Sequence, residues 1–340
     1  MRCPTLEQLP APPPHRTGWP WTEESPRCPD TRPDGRRWPR VSVVTPSYNQ
    51  GRFIEETIRS VLLQGYPDLE YIVMDGGSTD GSVDIIRRYE PWLTHWVSER
   101  DGGQTIAINR GWARATGEIL AYINTDDCYL RGAVARAAEE FCLHSDLGMV
   151  YGTASIVDED GRELGRWEAR PFDLKAMLMS GSIVPQPATF FSRPALAALR
   201  YLNETRQMIM DYELCTRLGV EFPTACLPST LARFRTHPQS KTWLHFETTA
   251  RELLEFVTSF RPNKVSAAEW QTIRRGMLSR VHYEWAKEYV VHGQKGFKPL
   301  KQLMRSVWLR PGYALRRPLV TAHIVKEALV GSWRNGTVSL

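Results

Sequence analysis

The sequence predicts an α/β fold: a mostly parallel sheet flanked by helices, followed by a helical C-terminal extension. Three observations carry this. Short apolar runs of strand type alternate with stretches of helical periodicity from residue 41 to 143. Each polar loop rich in Gly, Asp or Ser comes after a strand, as parallel strands joined by helical crossovers require. The 340 residues are enough for one large α/β domain with appendages.

The elements follow in order. Residues 1–40 hold ten of the 24 prolines together with Trp19, Trp21 and Trp38. Proline in such density excludes ladders and helices. The arm is therefore either disordered or, because indoles seek cover, laid along the domain surface. Val41–Thr45 is a β-branched strand, and Pro46–Gly51 is the loop that leaves it. A helix runs from Phe53 to Gln64, with Ile54, Ile58, Val61 and Leu62 at helical spacing, and Gly65-Tyr66-Pro67 stops it. Strand Leu69–Met74 leads into Asp75–Gly81, and a helix covers Ser82–Tyr89. Strand His95–Ser98 opens into Glu99–Gln104, and helix Thr105–Thr116 turns Ile108 and Trp112 inward. Ile119–Ile123 is a buried strand ending in Asn124-Thr125-Asp126-Asp127, and an Ala-rich helix covers Gly132–Leu143.

From residue 144 the pattern is mixed. It offers a strand at Met149–Tyr151, a hairpin around Asp158–Gly161, a helix at Asp173–Met179 and the stretch Pro185–Phe191. A helix then begins near Asp211 in Met208–Leu218, and a last strand, Leu231–Arg235, ends in Thr236-His237-Pro238. Helices at 246–260 and 267–292 precede a basic tail. The divisions expected are an arm (1–40), a catalytic domain (41–240, in halves 41–143 and 144–240) and a helical extension (241–340).

Composition narrows the function. Six cysteines show no CxxC pair and no regular spacing, against a zinc or disulfide framework and in favour of a reducing compartment. No run of 18 apolar residues occurs and the first residues lack a signal-peptide pattern, so the cytoplasm is the expected location. The net charge of +5 is uneven: residues 295–335 carry nine basic side chains, from Lys295 to Arg334, against Glu327 alone.

Adjacent carboxylates at a strand end repel unless a cation or strong donors offset them. Asp126 and Asp127 can therefore hold a divalent cation that neutralises a departing diphosphate. Asp75, ending the second strand, can accept from a base N–H, and the glycines after it let backbone approach a ligand. Asp101 offers a further carboxylate on the same rim. Asp211, near a helix N-terminus, is either a carboxylate favoured by the helix dipole or a base.

Thr45-Pro-Ser-Tyr-Asn, Asp75-Gly-Gly-Ser-Thr-Asp-Gly-Ser, Ser98-Glu-Arg-Asp-Gly-Gly-Gln, Ala107-Ile-Asn-Arg-Gly, Ala115-Thr-Gly-Glu and Asn124-Thr-Asp-Asp occur in this order. Together they resemble a family 2 glycosyltransferase of the GT-A fold, whose sheet is Rossmann-like, over roughly residues 40–240. The resemblance implies an inverting, non-processive enzyme with a nucleotide-diphospho-sugar donor and a saccharide or lipid-linked saccharide acceptor, in bacterial surface polysaccharide or glycolipid assembly. It implies that Pro46, Tyr48 and Asn49 flank the nucleotide and that Asp75 with Gly76 meets its base; Asp101, on the same rim, is a further cofactor-binding candidate, with a structural or acceptor-facing place as the other reading. Asp127 would be the direct ligand of Mn2+ or Mg2+, Asp126 would lie nearer the ribose, and His237 would face metal or diphosphate. Asp211 would be the general base, with Met210 where the family usually carries Glu.

Two other classes compete. A sugar nucleotidyltransferase would place a Gly-rich, basic loop after the first strand, where this chain has Pro46-Ser47-Tyr48-Asn49. A nucleic-acid binder would account for the tail but leave the acidic loops facing an anionic ligand, so no nucleic-acid partner is expected. For the tail itself, Leu300, Leu303, Met304, Val307 and Trp308 at helical spacing, and a second stripe from Leu319 to Leu329, give two readings: a peripheral contact with an anionic membrane, or packing back on the protein.

Overall fold

The computed structural model describes residues 2–237, 240–241, 245–294 and 296–330. Pro238 after His237, and Lys295 and Arg334 of the basic tail, lie outside the described residues, as does the Leu329 side chain. The described chain divides into two compact units: Met1–Asp173 with Ser182–His237, and Leu174–Gly181 with Pro238–Leu340.

In the first unit, Val41, Val43, Val44 and Thr45 begin strand β1 (Val41–Ser47), buried along its whole length. Such burial is what a parallel strand covered on both faces demands. Strands β2 (Leu69–Asp75), β3 (His95–Ser98) and β4 (Ile119–Tyr122) lie parallel in the order β3-β2-β1-β4. Helices α1 (Ile54–Leu62), α2 (Ser82–Tyr89) and α3 (Gln104–Arg114) connect them. α3 closes tightly on the sheet because residue 111 is glycine: a Cβ there would stand 2.5 Å from Cγ1 of Val44.

The remaining strands extend this sheet beyond β4. They are β5 (Cys128–Tyr129), β6 (Met149–Val157), β7 (Glu163–Trp167), β8 (Thr189–Ser192) and β9 (Thr224–Arg235), with helices α4 (Ala133–Leu143), α6 (Arg193–Ala198) and α7 (Met210–Glu221) between them. The order continues β4-β8-β6-β9-β5, with β7 on β6. β8 runs antiparallel to β4 and β6, so it is the seam where the parallel half meets the mixed half. The hairpin expected around Asp158–Gly161 is β6 turning into β7. The last strand starts at Thr224 rather than Leu231, because it runs through Pro228 and absorbs the interruption as register shifts opposite Tyr151–Ala154.

The proline-rich arm is laid down, not loose. Cys3, Leu9 and Trp19 join the main core, and Trp21 is buried beside it. The Trp19 indole donates to the Tyr129 carbonyl at 2.7 Å. From α1, the fully buried Arg59 guanidinium donates to the carbonyls of Pro10, Pro20 and Trp21 and to the Tyr89 hydroxyl. Arm carbonyls that proline leaves without ladder partners thus find their donors in one arginine.

The second unit is helical: α5 (Leu174–Ser180), α8 (Phe246–Ser259), α9 (Ala267–Val291), α10 (Phe297–Leu309), α11 (Pro311–Leu315) and α12 (Pro318–Val330). Ser266 caps α9 by accepting from the Glu269 amide. Tyr283 and Ala286 of α9, Leu303 of α10, Ala314 and Ile324 form its core.

Candidate active site

Strand order reverses direction of growth at β1, with β2 on one side and β4 on the other. Ligands of open α/β sheets bind outside the carboxyl ends of strands at such a point. The loops leaving β1, β2, β3 and β4 all open there.

After β4 the chain passes through buried Ile123 into Asn124–Asp127, then into β5. α1 holds this loop from beneath: the Thr57 hydroxyl lies 2.8 Å from the Thr125 carbonyl and 2.7 Å from that of Asp127. β5 pairs antiparallel with the end of β9, Cys128 opposite Arg233, and this carries Arg235, Thr236 and His237 to the acidic pair. The Asp127 carboxylate is 2 % exposed and accepts from the Arg235 amide at 3.0 Å. Burial, and then the neighbouring Asp126 charge, push its pKa well above the usual carboxylate range, against the opposing effects of Arg235 and Asn124. Asp126 is the more open of the two, and its Oδ2 lies 3.1 Å from Nε2 of His237.

Arg235 fastens this corner. Its Nε donates to the Asp126 carbonyl, its Nη1 to the carbonyls of Asp158 and Glu159, and its Nη2 to Glu56 at 2.9 Å. The guanidinium also stacks over the Phe53 ring, 5.0 Å from its centroid. On the other side of the loop a relay of amides sets Asn124. Gln104 donates to Asn124 Oδ1 at 2.7 Å, Asn124 donates to Gln186 at 3.1 Å, and Gln186 donates to the Tyr122 carbonyl. The sequence gives no site role to Arg235, Glu56, Thr57 or Gln186, and Gln104 enters only as the last residue of the loop after β3. The one available signal was an arginine two residues before His237 at a strand end.

The donor-side residues gather around Asp75. Its carboxylate is buried and receives five donors: the hydroxyls of Ser47, Ser78 and Ser98, and the amides of Gly77 and Ser78. That saturates a carboxylate, so a base N–H reaches Asp75 only by displacing one of these groups. Asn49 (φ +51°) donates through its amide to Ser78 Oγ and accepts from the Thr79 amide, which locks the β1 loop to the β2 loop. Pro46 is buried within β1 and Tyr48 is 64 % exposed. Gly76 allows Tyr48 and Asp101 to close on it, since a Cβ there would lie 3.3 Å from Cδ2 of Tyr48 and 3.2 Å from Oδ2 of Asp101. Asp101 also accepts from the Gly103 amide, and Glu99 stands 3.8 Å from Arg110.

Asp211 lies in the first turn of α7. The turn is anchored on both sides. Thr105 of α3 donates to the Arg206 carbonyl, and Glu213 is held by Arg206, Arg217 and Asn203. The Tyr122 phenol at the end of β4 is raised well above its ordinary pKa, first by burial and then by the charge of Asp211, with Asp127 contributing.

Among the described residues no three His, Cys, Asp or Glu side chains are preassembled as a metal cage. The donor set still fits a divalent cation of the Mn2+ or Mg2+ type. Such ions are held by one or two carboxylates with substrate phosphates completing the shell, and a buried carboxylate disfavoured as an anion gains from a neighbouring cation.

Residues 42–197 match the model of glycosyl transferase family 2. An uncharacterized glycosyltransferase of Mycobacterium tuberculosis is 30% identical over 203 residues, covering 58% of this chain and 76% of that protein. Chondroitin synthase of Escherichia coli is 27% identical over 188 residues, 54% of this chain and 27% of that protein. Among solved structures, a mannosyltransferase of Pyrobaculum calidifontis in complex with GDP-Man and Mn2+ superposes with a TM-score of 0.57 at 21% identity, over 90% of this chain and 84% of that one. That likeness shows the shared GT-A fold, and the sequence matches show the kinship: the chain belongs to glycosyl transferase family 2.

Proposed function

We propose that this glycosyltransferase moves one sugar per encounter, with inversion, from a nucleoside-diphosphate sugar to a hydroxyl of a saccharide or lipid-linked saccharide. The setting is cytoplasmic assembly of a bacterial surface polysaccharide or glycolipid. In this reading Asp211 takes the proton from the acceptor hydroxyl as its oxygen attacks the anomeric carbon. The bond to the diphosphate breaks on the opposite face, and one displacement inverts the configuration. Asp126, Asp127 and His237 would hold the divalent cation, which when bound would neutralise charge on the departing diphosphate. Pro46, Tyr48, Asn49 and Gly76 line the nucleotide, with Asp101 beside them. Asp75 meets the base by exchanging one of its hydroxyl donors.

The observation that supports this reading most is the gathering at the end of β4. A carboxylate–imidazole contact (Asp126–His237) and a buried carboxylate (Asp127) lie there, and Asp211, at the start of α7, adds its charge at the Tyr122 phenol that ends β4. A mere turn after a strand needs none of the three. The chondroitin and GDP-Man proteins support the substrate classes by kinship of family and fold. The test is release of nucleoside diphosphate from UDP-, GDP- and dTDP-sugars with Mn2+ and with chelator, and the anomeric configuration of the product. Chelator-insensitive turnover would remove the metal from the reading. A product that keeps the donor's configuration would remove the single displacement and the role given to Asp211.

A further inference from the structure

The second unit carries a surface that its own packing leaves unused. Among the described residues ten large apolar side chains are exposed, and seven of them fall between Val291 and Leu319. Trp308 is 81 % exposed, Leu315 75 % and Leu319 85 %. Scattered exposed apolar residues are ordinary, whereas a local concentration of this kind marks an interaction site.

α10 shows how the surface is built. At 100° per residue, Pro299, Gln302, Leu303 and Ser306 fall on one side of the helix, and all four are buried. This side is fully used: Leu303 enters the small core, Gln302 meets His282, and Ser306 meets Ser279. Phe297, Lys301, Met304, Arg305 and Trp308 fall on the other side, and all are exposed. The two readings of the predicted stripe therefore divide by face. Leu303 packs back on the protein, while Met304, Val307 and Trp308 remain in solvent.

The charges on the outer side are equally uncommitted. α10 contains no acid, and among the described residues Lys301, Arg305 and Arg316 enter no salt bridge. Residues 297–330 hold seven basic side chains against Glu327. Among the described residues no helix is long and apolar enough to cross a membrane.

We infer that the outer side of α10, with Leu315 at the end of α11 and Leu319 at the start of α12, docks on the surface of an anionic lipid bilayer. This occupant alone uses both halves of the pattern. Aromatic and aliphatic side chains enter the boundary between headgroups and acyl chains, and Lys298, Lys301, Arg305 and Arg316 meet headgroup phosphates. Bound face to face, a second copy would bring like charges together. Nucleic acid would use the cations but leave Trp308, Leu315 and Leu319 in water.

The experiment is flotation of the full chain with vesicles of phosphatidylcholine alone and of phosphatidylcholine with phosphatidylglycerol. Vesicle binding is read without turnover, so this inference and the proposed reaction stand or fall separately. The full chain is expected to float with the anionic vesicles at low salt, to release as salt rises, and to ignore the neutral ones. Lys301→Glu with Arg305→Glu should weaken partitioning about 25-fold or more, since each basic residue near such a surface contributes roughly fivefold. Trp308→Ser keeps every charge and should weaken it about tenfold, through lost apolar insertion. All three residues are exposed, so unchanged melting of the variants is expected. No flotation at low salt, or equal partitioning of both variants and the unaltered chain, overturns the inference. So does a concentration-dependent dimer in sedimentation that Trp308→Ser dissolves, since the face then belongs to a second copy.

Discussion

A carboxylate sealed in protein beside a second carboxylate is relieved by a proton or by a cation, and Asp127 is in that position. Asp127→Asn removes the charge and keeps the shape. Donor binding in a calorimetric titration with Mn2+ is therefore expected to disappear in a folded variant, and unchanged affinity would end the metal assignment. Asp211→Asn separates the two roles open to that residue. Asn caps a helix about as well as Asp but cannot take a proton, so turnover should fall at least about a hundredfold with donor affinity nearly unchanged. Near-normal turnover returns Asp211 to the helix terminus. As candidates these carboxylates were legible because the signal is local: two at a strand end, one at a helix start. Arg235 and Gln186 were not, since their role exists only after β9 pairs with β5 and Gln186 reaches the Tyr122 carbonyl. Nothing in the neighbouring sequence encodes those encounters.

Elements tell a similar story about range. β1 to β4 and α1 to α3 were readable because each is a run of one periodicity closed by a Gly- or Asp-rich loop. β8 and the first half of β9 were not, because Pro185 and Pro187 stand just before the one, Pro228 lies within the other, and their ladders depend on distant β6. The arm was readable only in part. Three tryptophans pointed to contact, but the donors for its carbonyls came from Arg59, in a helix whose sequence pattern says nothing of the arm. Trp19→Ala should therefore cost about 3–5 kcal/mol in urea unfolding, as a large aromatic lost from a core does; a loss under about 1 kcal/mol would mean the arm is only lightly attached. In the loop before α2, burial pushes the Asp80 pKa up, but the Ser82 hydroxyl and the amides of Gly51 and Ser82 outweigh it and hold the group below its ordinary value. A carboxylate depressed in the folded state contributes stability above its unfolded pKa and loses it as pH falls through the folded one. The stability advantage of the unaltered chain over Asp80→Asn should accordingly be steady near neutrality and shrink below about pH 4. An advantage that grows on acidification would contradict the hydrogen-bond assignment.

For the whole molecule, the residues proposed for the transferase chemistry lie within the first unit, and the exposed basic, apolar helix face lies within the second. The unit boundary falls at His237, so the last residue offered to the cation is also the last of the first unit. The residues proposed for the nucleotide and those proposed for the cation all lie in that unit, so donor recognition and metal recognition are expected to be one event in this chain. The most direct measurement is thermal unfolding of the full chain against UDP-, GDP- and dTDP-sugars, each with and without Mn2+, beside Asp127→Asn. A ligand at about a hundred times its dissociation constant stabilises by about 2.7 kcal/mol, a shift of a few degrees for a domain of this size. One nucleotide class is expected to raise the midpoint by that amount, only when Mn2+ is present and only in the unaltered chain. Equal shifts with and without Mn2+, or in Asp127→Asn, would contradict it, as would no shift with any nucleotide sugar.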